Sequence, residues 1–190
     1  MSGERQLIEE ILQGSEAAME VLTRNYYKPI FAFVYRKVGN KDIAYDLTQE
    51  IFIKMMKKID TYGNKGSFKS WLFTLAVNHC RDFWKSADYK ATARQAELSE
   101  HLPSDKSDVP YIFEKKQQRE HVKAAIEALP EYQKEVILLR YYHDLKIKEI
   151  AEVTGSKEPT VKSRLRQGLA KLEYFLKRGE DDERERSRRS

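Results

Sequence analysis

The sequence predicts an all-α protein: two small helical domains joined by a flexible linker, the C-terminal one a helix-turn-helix. Three observations predict this. Apolar residues recur at three- and four-residue spacing from about Glu4 to Lys85 and again from about Tyr111 to Lys177, the period of helices that bury one face. Between the blocks lies SADYKATARQAELSEHLPSDKSDVP, polar and interrupted by Pro103 and Pro110, with too little apolar surface to pack. Near the end, Ala151, Gly155 and Val161 stand at the spacing of two helices crossing over a tight turn. The expected division is 1–86 for the first domain, 87–110 for the linker and 111–178 for the second domain. The charged segment 179–190 is expected to be a disordered end. No alternating strand pattern and no internal repeat competes with this reading.

In the first block, Gly14, Pro29, Gly39 and the stretch 62–66 punctuate the chain into several helices. Segment 42–60, DIAYDLTQEIFIKMMKKID, puts Ile43, Leu47, Ile51, Met55 and Ile59 on an inner face and Asp46, Gln49, Glu50 and Lys57 on the outer one. Ile53 and Met56 also project outward, beside acids. Either another helix of the domain covers them or they belong to a partner surface, because a cluster of exposed apolar residues is less common than single ones.

Segment 68–85, FKSWLFTLAVNHCRDFWK, places Phe68, Trp71, Leu72, Leu75, Ala76 and Phe83 on one arc, as core aromatics do. The opposite arc carries Ser70, Thr74, Asn78, Arg81 and Lys85 and no acid. It reads as an ordinary solvated face or as a track for a nucleic-acid strand. The neighbouring loop around Gly63–Gly66, with Lys65 in it, is able to take an unstacked base.

In the second block, segment 147–166 reads IKEIAEVTGSKEPTVKSRLR. Ile147, Ile150 and Ala151 form the apolar stripe of a short first helix, and Gly155 allows the left-handed turn that follows. Ser156 is a suitable N-cap for the next helix and Pro159 falls in its first turn. Val161, Leu165, Leu169, Leu172 and Leu176 then form a buried stripe. Opposite it lie Pro159, Thr160, Ser163, Arg166 and Gln167, flanked by Lys157, Lys162 and Arg164. Hydroxyls, an amide and a bidentate arginine at the start of a second helix are the groups that read base edges in the major groove. From Lys157 to Arg178 seven bases stand against two acids, which adds salt-dependent attraction to phosphates.

Composition excludes other classes. The net charge of +5 permits nucleic-acid binding without requiring it. No apolar run approaches the roughly 18 to 20 residues of a membrane span, and MSGERQLIEE carries acids where a signal peptide is apolar, so a cytoplasmic protein with no stable membrane insertion is expected. Cys80 is the single cysteine, too few for a disulfide or a CxxC knuckle. His79, His101, His121 and His143 are scattered, and there is no HExxH, P-loop or GxSxG motif. No metal, cofactor or catalytic group is therefore expected.

Together the segments resemble the extracytoplasmic-function (ECF) sigma factors of the sigma-70 family, which keep the second and fourth conserved regions. GNKDIAYDLTQEIFIKMMKKID looks like region 2.2, FKSWLFTLAVNHCRDFWK like regions 2.3 and 2.4, and ALPEYQKEVILLRYYHDLKIKEIAEVTGSKEPTVKSRLRQGLAKL like region 4. The resemblance implies an initiation factor that binds core RNA polymerase, through the clamp helices of the largest subunit and the flap of the second largest, and melts promoter DNA. It assigns Asp46, Gln49, Glu50, Ile53 and Met56 to polymerase. Lys65, Phe68, Ser70, Thr74, Asn78, Arg81 and Lys85 fall to the minus-ten element. Lys157, Pro159, Thr160, Lys162, Ser163, Arg164, Arg166 and Gln167 fall to the minus-thirty-five element. An anti-sigma factor is a further expected partner. The chain departs from the common pattern at Lys134, at Pro159 and at Lys85 after Trp84, positions that bear on base preference. A stand-alone regulator binding DNA as a dimer is the competing reading, but no ligand-binding strand pattern or dimer helix supports it.

Overall fold

A computed structural model describes residues 3–63, 66–86 and 120–189, with side chains to Arg178. The predicted linker and residues 111–119 of the second predicted domain lie outside the described residues. Eight α-helices and no strand occur among those described. The N-terminal unit comprises α1 (Gly3–Leu12), α2 (Glu16–Val38), α3 (Lys41–Lys58) with a 3-10 turn at Ile59–Tyr62, and α4 (Phe68–Lys85). The C-terminal unit comprises α5 (120–127), α6 (Glu131–Ile137) prolonged by a π turn at Leu138–Tyr142, α7 (Ile147–Thr154) and α8 (Glu158–Arg189). No helix among the described residues is long and apolar enough to cross a membrane.

Local chemistry sets the starts of the N-terminal helices. Ser15 Oγ accepts from Ala18 N at 3.2 Å, Asn40 Oδ1 from Asp42 N and Ile43 N at 2.9 and 3.0 Å, and Ser67 Oγ from Ser70 N at 3.4 Å. Each satisfies donors that a helix N-terminus leaves without an intrahelical partner. Proline does not divide the block as the sequence predicts: α2 runs through Pro29. A proline inside a helix costs about 3 kcal/mol. Here Leu22 on one side and Ile30, Phe33 and Val34 on the other are completely buried, and burial of such side chains at about 1.5–3 kcal/mol each offsets that cost.

In the C-terminal unit, Gly155 at φ +66° ends α7, and Ser156 N returns to Ala151 O at 2.9 Å, closing the turn in the pattern that glycine favours. Two expectations need correction. Ser156 does not cap the next helix; α8 begins at Glu158, and Ser156 Oγ instead accepts from Arg164 Nη1 at 3.0 Å. Leu169 is exposed rather than buried, because Gly168 holds the contact with α6: a Cβ there would sit 3.2 Å from Ile137 Cγ1. With Gly168 set this closely against the Ile137 side chain, Leu169 is turned outward, and Leu172 and Leu176 of the predicted stripe are only half-buried. The α8 backbone is helical as far as Arg189, through the segment for which the sequence predicts a disordered end; its Glu and Arg residues are good helix formers.

The two units are not held by a tether alone. They share one continuous core in which Phe33 and Phe73 of the first unit enclose His143 of the second, with ring centroids 5.7 and 4.8 Å away. The α4 helix lies against α7, the first helix of the helix-turn-helix.

Candidate nucleic-acid interface

On α3 the stripe Leu47, Ile51 and Met55 is buried, with Ile43 half-buried, and Asp46, Gln49, Glu50, Ile53 and Met56 all lie on the exposed side. Ile53 and Met56 are 45% and 46% exposed, so no other helix among the described residues covers this apolar pair, which stands among polar neighbours. Glu50 also reaches α4: its Oε2 lies 2.9 Å from His79 Nε2, while Lys54 Nζ lies 2.6 Å from His79 Nδ1. Burial, then the Lys54 charge, hold the His79 pKa below its ordinary value. The ring thus stands between a base and an acid of α3, Lys54 at Nδ1 and Glu50 at Nε2.

The recognition side of α8 is open. Lys157, Pro159, Thr160, Lys162, Arg166 and Gln167 are exposed, and Ser163 and Arg164 are half-buried. Gln167 Nε2 donates to Ser163 Oγ at 3.1 Å, and Gln133 Nε2 donates to Gln167 Oε1 at 3.2 Å, so the amide is held at the helix surface. Arg164 is tied to Ser156 and stacks over Tyr132 at 5.6 Å. Arg166 is exposed and has no contact with the other described residues of the face, so its guanidinium is placed to make a bidentate contact with a base edge.

The polar arc of α4 is where sequence and structure diverge most. Asn78 and Lys85 are exposed, and Thr74 is half-buried with its hydroxyl donating to Ser70 O at 2.9 Å. Phe68 is completely buried, edge-on to Tyr26 and Tyr62; as a core residue it holds the base of the loop and is not available to a DNA strand. Lys65 lies outside the described residues. Ser70 is buried and Arg81 half-buried, and both are partnered: Ser70 Oγ donates to Glu149 Oε1 at 3.3 Å, and Arg81 Nη2 pairs with Glu135 Oε1 at 2.5 Å and Thr154 O at 3.3 Å.

Glu135 is nearly completely buried and its second oxygen, Oε2, pairs with Lys37 Nζ at 3.0 Å, while Glu131 pairs with the same ammonium. Burial works to lower the Lys37 pKa, but the carboxylates of Glu135 and Glu131 outweigh it and the net shift is upward. Nearby Cys80 is fully buried, and that burial pushes its thiol up to about 12, so it is a core residue without thiolate reactivity. Lys69 Nζ donates to His143 O, and Lys134 Nζ to Lys37 O at 3.4 Å. Sequence reasoning missed Lys37, Lys69, Glu135 and Glu149, because each reads locally as a surface charge on an amphipathic helix.

These surfaces define an all-helical DNA-binding protein of two units, one of them a helix-turn-helix. Residues 22–89 match the family model described as Sigma-70 region 2, and residues 119–172 the one described as Sigma-70, region 4. The two matches span more than half of the chain, and the protein belongs to the sigma-70 family, within its ECF group. It is a promoter-specific transcription initiation factor for RNA polymerase, and not an enzyme. It is 29% identical over 169 residues to the RNA polymerase sigma factor SigV of Bacillus subtilis, covering 86% of this chain and 94% of that one. It is 28% identical over 166 residues to the ECF RNA polymerase sigma-E factor of Escherichia coli, covering 84% and 86%. The sigma factor RpoE of Bartonella quintana, solved with the anti-sigma factor NepR, shares its fold at a TM-score of 0.62 and 22% identity, over 83% of this chain and 96% of that one.

Proposed function

We propose that the protein divides promoter recognition between its two units while α3 holds the polymerase. The exposed run Asp46, Gln49, Glu50, Ile53 and Met56 is the seat for the clamp helices of the largest subunit, and the C-terminal unit meets the flap of the second largest. Thr74, Asn78 and Lys85, with Ser70 and Arg81 once free, line the track for the minus-ten strand. Thr160, Lys162, Ser163, Arg166 and Gln167 face the minus-thirty-five element, with Lys157, Pro159 and Arg164 at its edge. Melting draws on binding energy within the polymerase complex, so no catalytic group is needed.

The observation that carries this reading is the pairing, in one chain, of an exposed acidic and apolar stripe on α3 with an open hydroxyl, amide and arginine face on α8. The protein acts in the cytoplasm, where promoter DNA and polymerase meet. Likeness to a sigma factor solved with its anti-sigma factor supports a partner of that kind here, and pull-downs from the native host that recover only polymerase would count against it. Run-off transcription from host promoter DNA, with core polymerase and with or without the protein, tests the whole reading. Transcripts that require both uphold it; tight DNA binding by the protein alone, with no transcripts, would replace it with a stand-alone regulator.

A further inference from the structure

We infer that Gln133, buried in α6, is a positioning residue for base reading in the minus-thirty-five element. It holds the Gln167 amide so that α8 donates hydrogen bonds to guanine and withholds the paired donor and acceptor that select adenine. The inference rests on the assignment of the α8 face under the proposed function. Gln133 Nε2 donates to Gln167 Oε1 at 3.2 Å, and Gln167 Nε2 donates to Ser163 Oγ at 3.1 Å. Gln133 is 1% exposed and Gln167 is exposed, so this relay runs from the core of the C-terminal unit out to its recognition face.

The close approach of α6 and α8 brings the two amides together. A Cβ at Gly168 would lie 3.2 Å from Ile137 Cγ1 and 3.5 Å from Gln133 Cβ, so a larger residue there would push Gln133 away. The site is not a comfortable one for an amide. Gln133 Oε1 is buried and has no hydrogen-bond partner among the described residues, and an orphaned buried acceptor is destabilising. An apolar side chain of the same length would fill the space without that penalty. Packing alone therefore does not account for glutamine at this position; what the amide supplies is the donor that it gives to Gln167.

The direction of the relay fixes what the face offers to DNA. A free glutamine selects adenine by turning both ends of its amide to one base, accepting from N6 and donating to N7. Here α6 holds the oxygen end and Ser163 the nitrogen end, so the two are not turned together towards a base edge. Ser163 Oγ accepts from Gln167, which leaves its own O–H to donate. The second N–H of Gln167 is a further donor beside it. Guanine, whose N7 and O6 are both acceptors in the major groove, is the base that matches two neighbouring donors.

The test is competitive run-off transcription with core polymerase and the full chain, over promoters carrying every single-base change in the upstream element. Gln167→Ala and Ser163→Ala mark the position that this pair reads, where the native chain is expected to prefer G·C over A·T. Gln133→Met keeps the length of the side chain and removes both the donor and the orphaned acceptor. It is expected to shift preference at that position about tenfold from G·C towards A·T, with the order of bases elsewhere unchanged. In a Gln167→Ala background the same substitution should change nothing further. An unchanged base order, or a loss shared equally by all promoters, would make Gln133 a packing residue and overturn the inference. So would a native preference for A·T that Gln167→Ala abolishes, a result that decides the matter if a thermal melt shows Gln133→Met unfolded. If neither Gln167→Ala nor Ser163→Ala alters base order at any position, the assignment of the α8 face falls, and the relay with it.

Discussion

The carboxylate of Glu50, on the exposed face of α3, lies 2.9 Å from Nε2 of His79, which is buried on α4. A residue of the proposed polymerase seat is thereby tied to the helix that carries the minus-ten face. Lys54 Nζ lies 2.6 Å from the other ring nitrogen, so the imidazole is set between an acid and a base that both come from α3. Residue 50 consequently bears on both the outer charge pattern of α3 and the seating of α4.

Glu50→Lys tests the outer role. Its side chain is 56% exposed, and an exposed ion pair contributes no more than about 1 kcal/mol, so the folded state is expected to survive with little loss in a thermal melt. Affinity for core polymerase should fall at least about tenfold, because a charge is reversed at an interface whose partner is chosen for the original sign. Titration of the variant into labelled core polymerase measures this. Native affinity would remove Glu50 from the seat.

Arg166→Ala separates base reading from phosphate attraction on α8. Arg166 is exposed and free of the intramolecular contacts that hold Arg164. Loss of a bidentate base contact costs about 1–3 kcal/mol at one position of the upstream element and relaxes specificity there. Binding assays over a set of single-base variants distinguish the cases: an equal loss on every duplex, with a shallower salt dependence, means that Arg166 holds a phosphate.

Gly155→Ala probes the turn between α7 and α8. No atom lies within 4 Å of an added Cβ, so there is no clash, but φ is +66°. The cost is the backbone term alone, about 1–2 kcal/mol for a side chain held in the left-handed region. Urea denaturation should register that loss. Affinity for the upstream duplex should change only as far as the folded fraction does. A neutral result would mean that the turn relaxes to a conformation other than the glycine one.

What was legible in the sequence follows from how far each signal reaches along the chain. The α3 stripe and the helix-turn-helix were readable because Ile43, Leu47, Ile51 and Met55, or Ala151, Gly155 and Val161, are related by helical period and turn chemistry within about twenty residues. The polar arc of α4 was equally visible, but its partner was not. Arg81 meets Glu135, 54 positions away, and Ser70 meets Glu149, 79 positions away, and nothing in either local pattern marks these acids as buried. Phe68 shows the same limit from the other side. Its place at the mouth of a loop suits a strand-capturing aromatic, while the rings of Tyr26 and Tyr62 that enclose it come from other elements.

Acid should loosen the closed form through His143. Burial first, then the charges of Arg36 and Lys69 against the weaker pull of Asp144, lower its pKa from the ordinary 6.5 to about 4. The ring lies between Phe33 and Phe73, and its Nε2 is buried without a hydrogen-bond partner, so the neutral form fits this site and the imidazolium does not. A group whose folded pKa is lowered is protonated in the unfolded or opened chain before it is protonated in the closed one. Between pH 6.5 and 4 the opened state therefore binds an extra proton, and the stability of the closed state falls as pH falls through that window. The full difference is about 3 kcal/mol, absent above pH 6.5 and complete below pH 4. His79, whose pKa is also lowered, pulls the same way, so the contribution of His143 is the part removed by His143→Phe. That variant keeps an aromatic ring between Phe33 and Phe73 and carries no titrating group. Denaturant melts at several pH values should show its stability declining less steeply than the native chain between pH 6.5 and 4, by up to about one proton. Parallel slopes for the two chains would assign the acid sensitivity to His79 and leave His143 without a part in it.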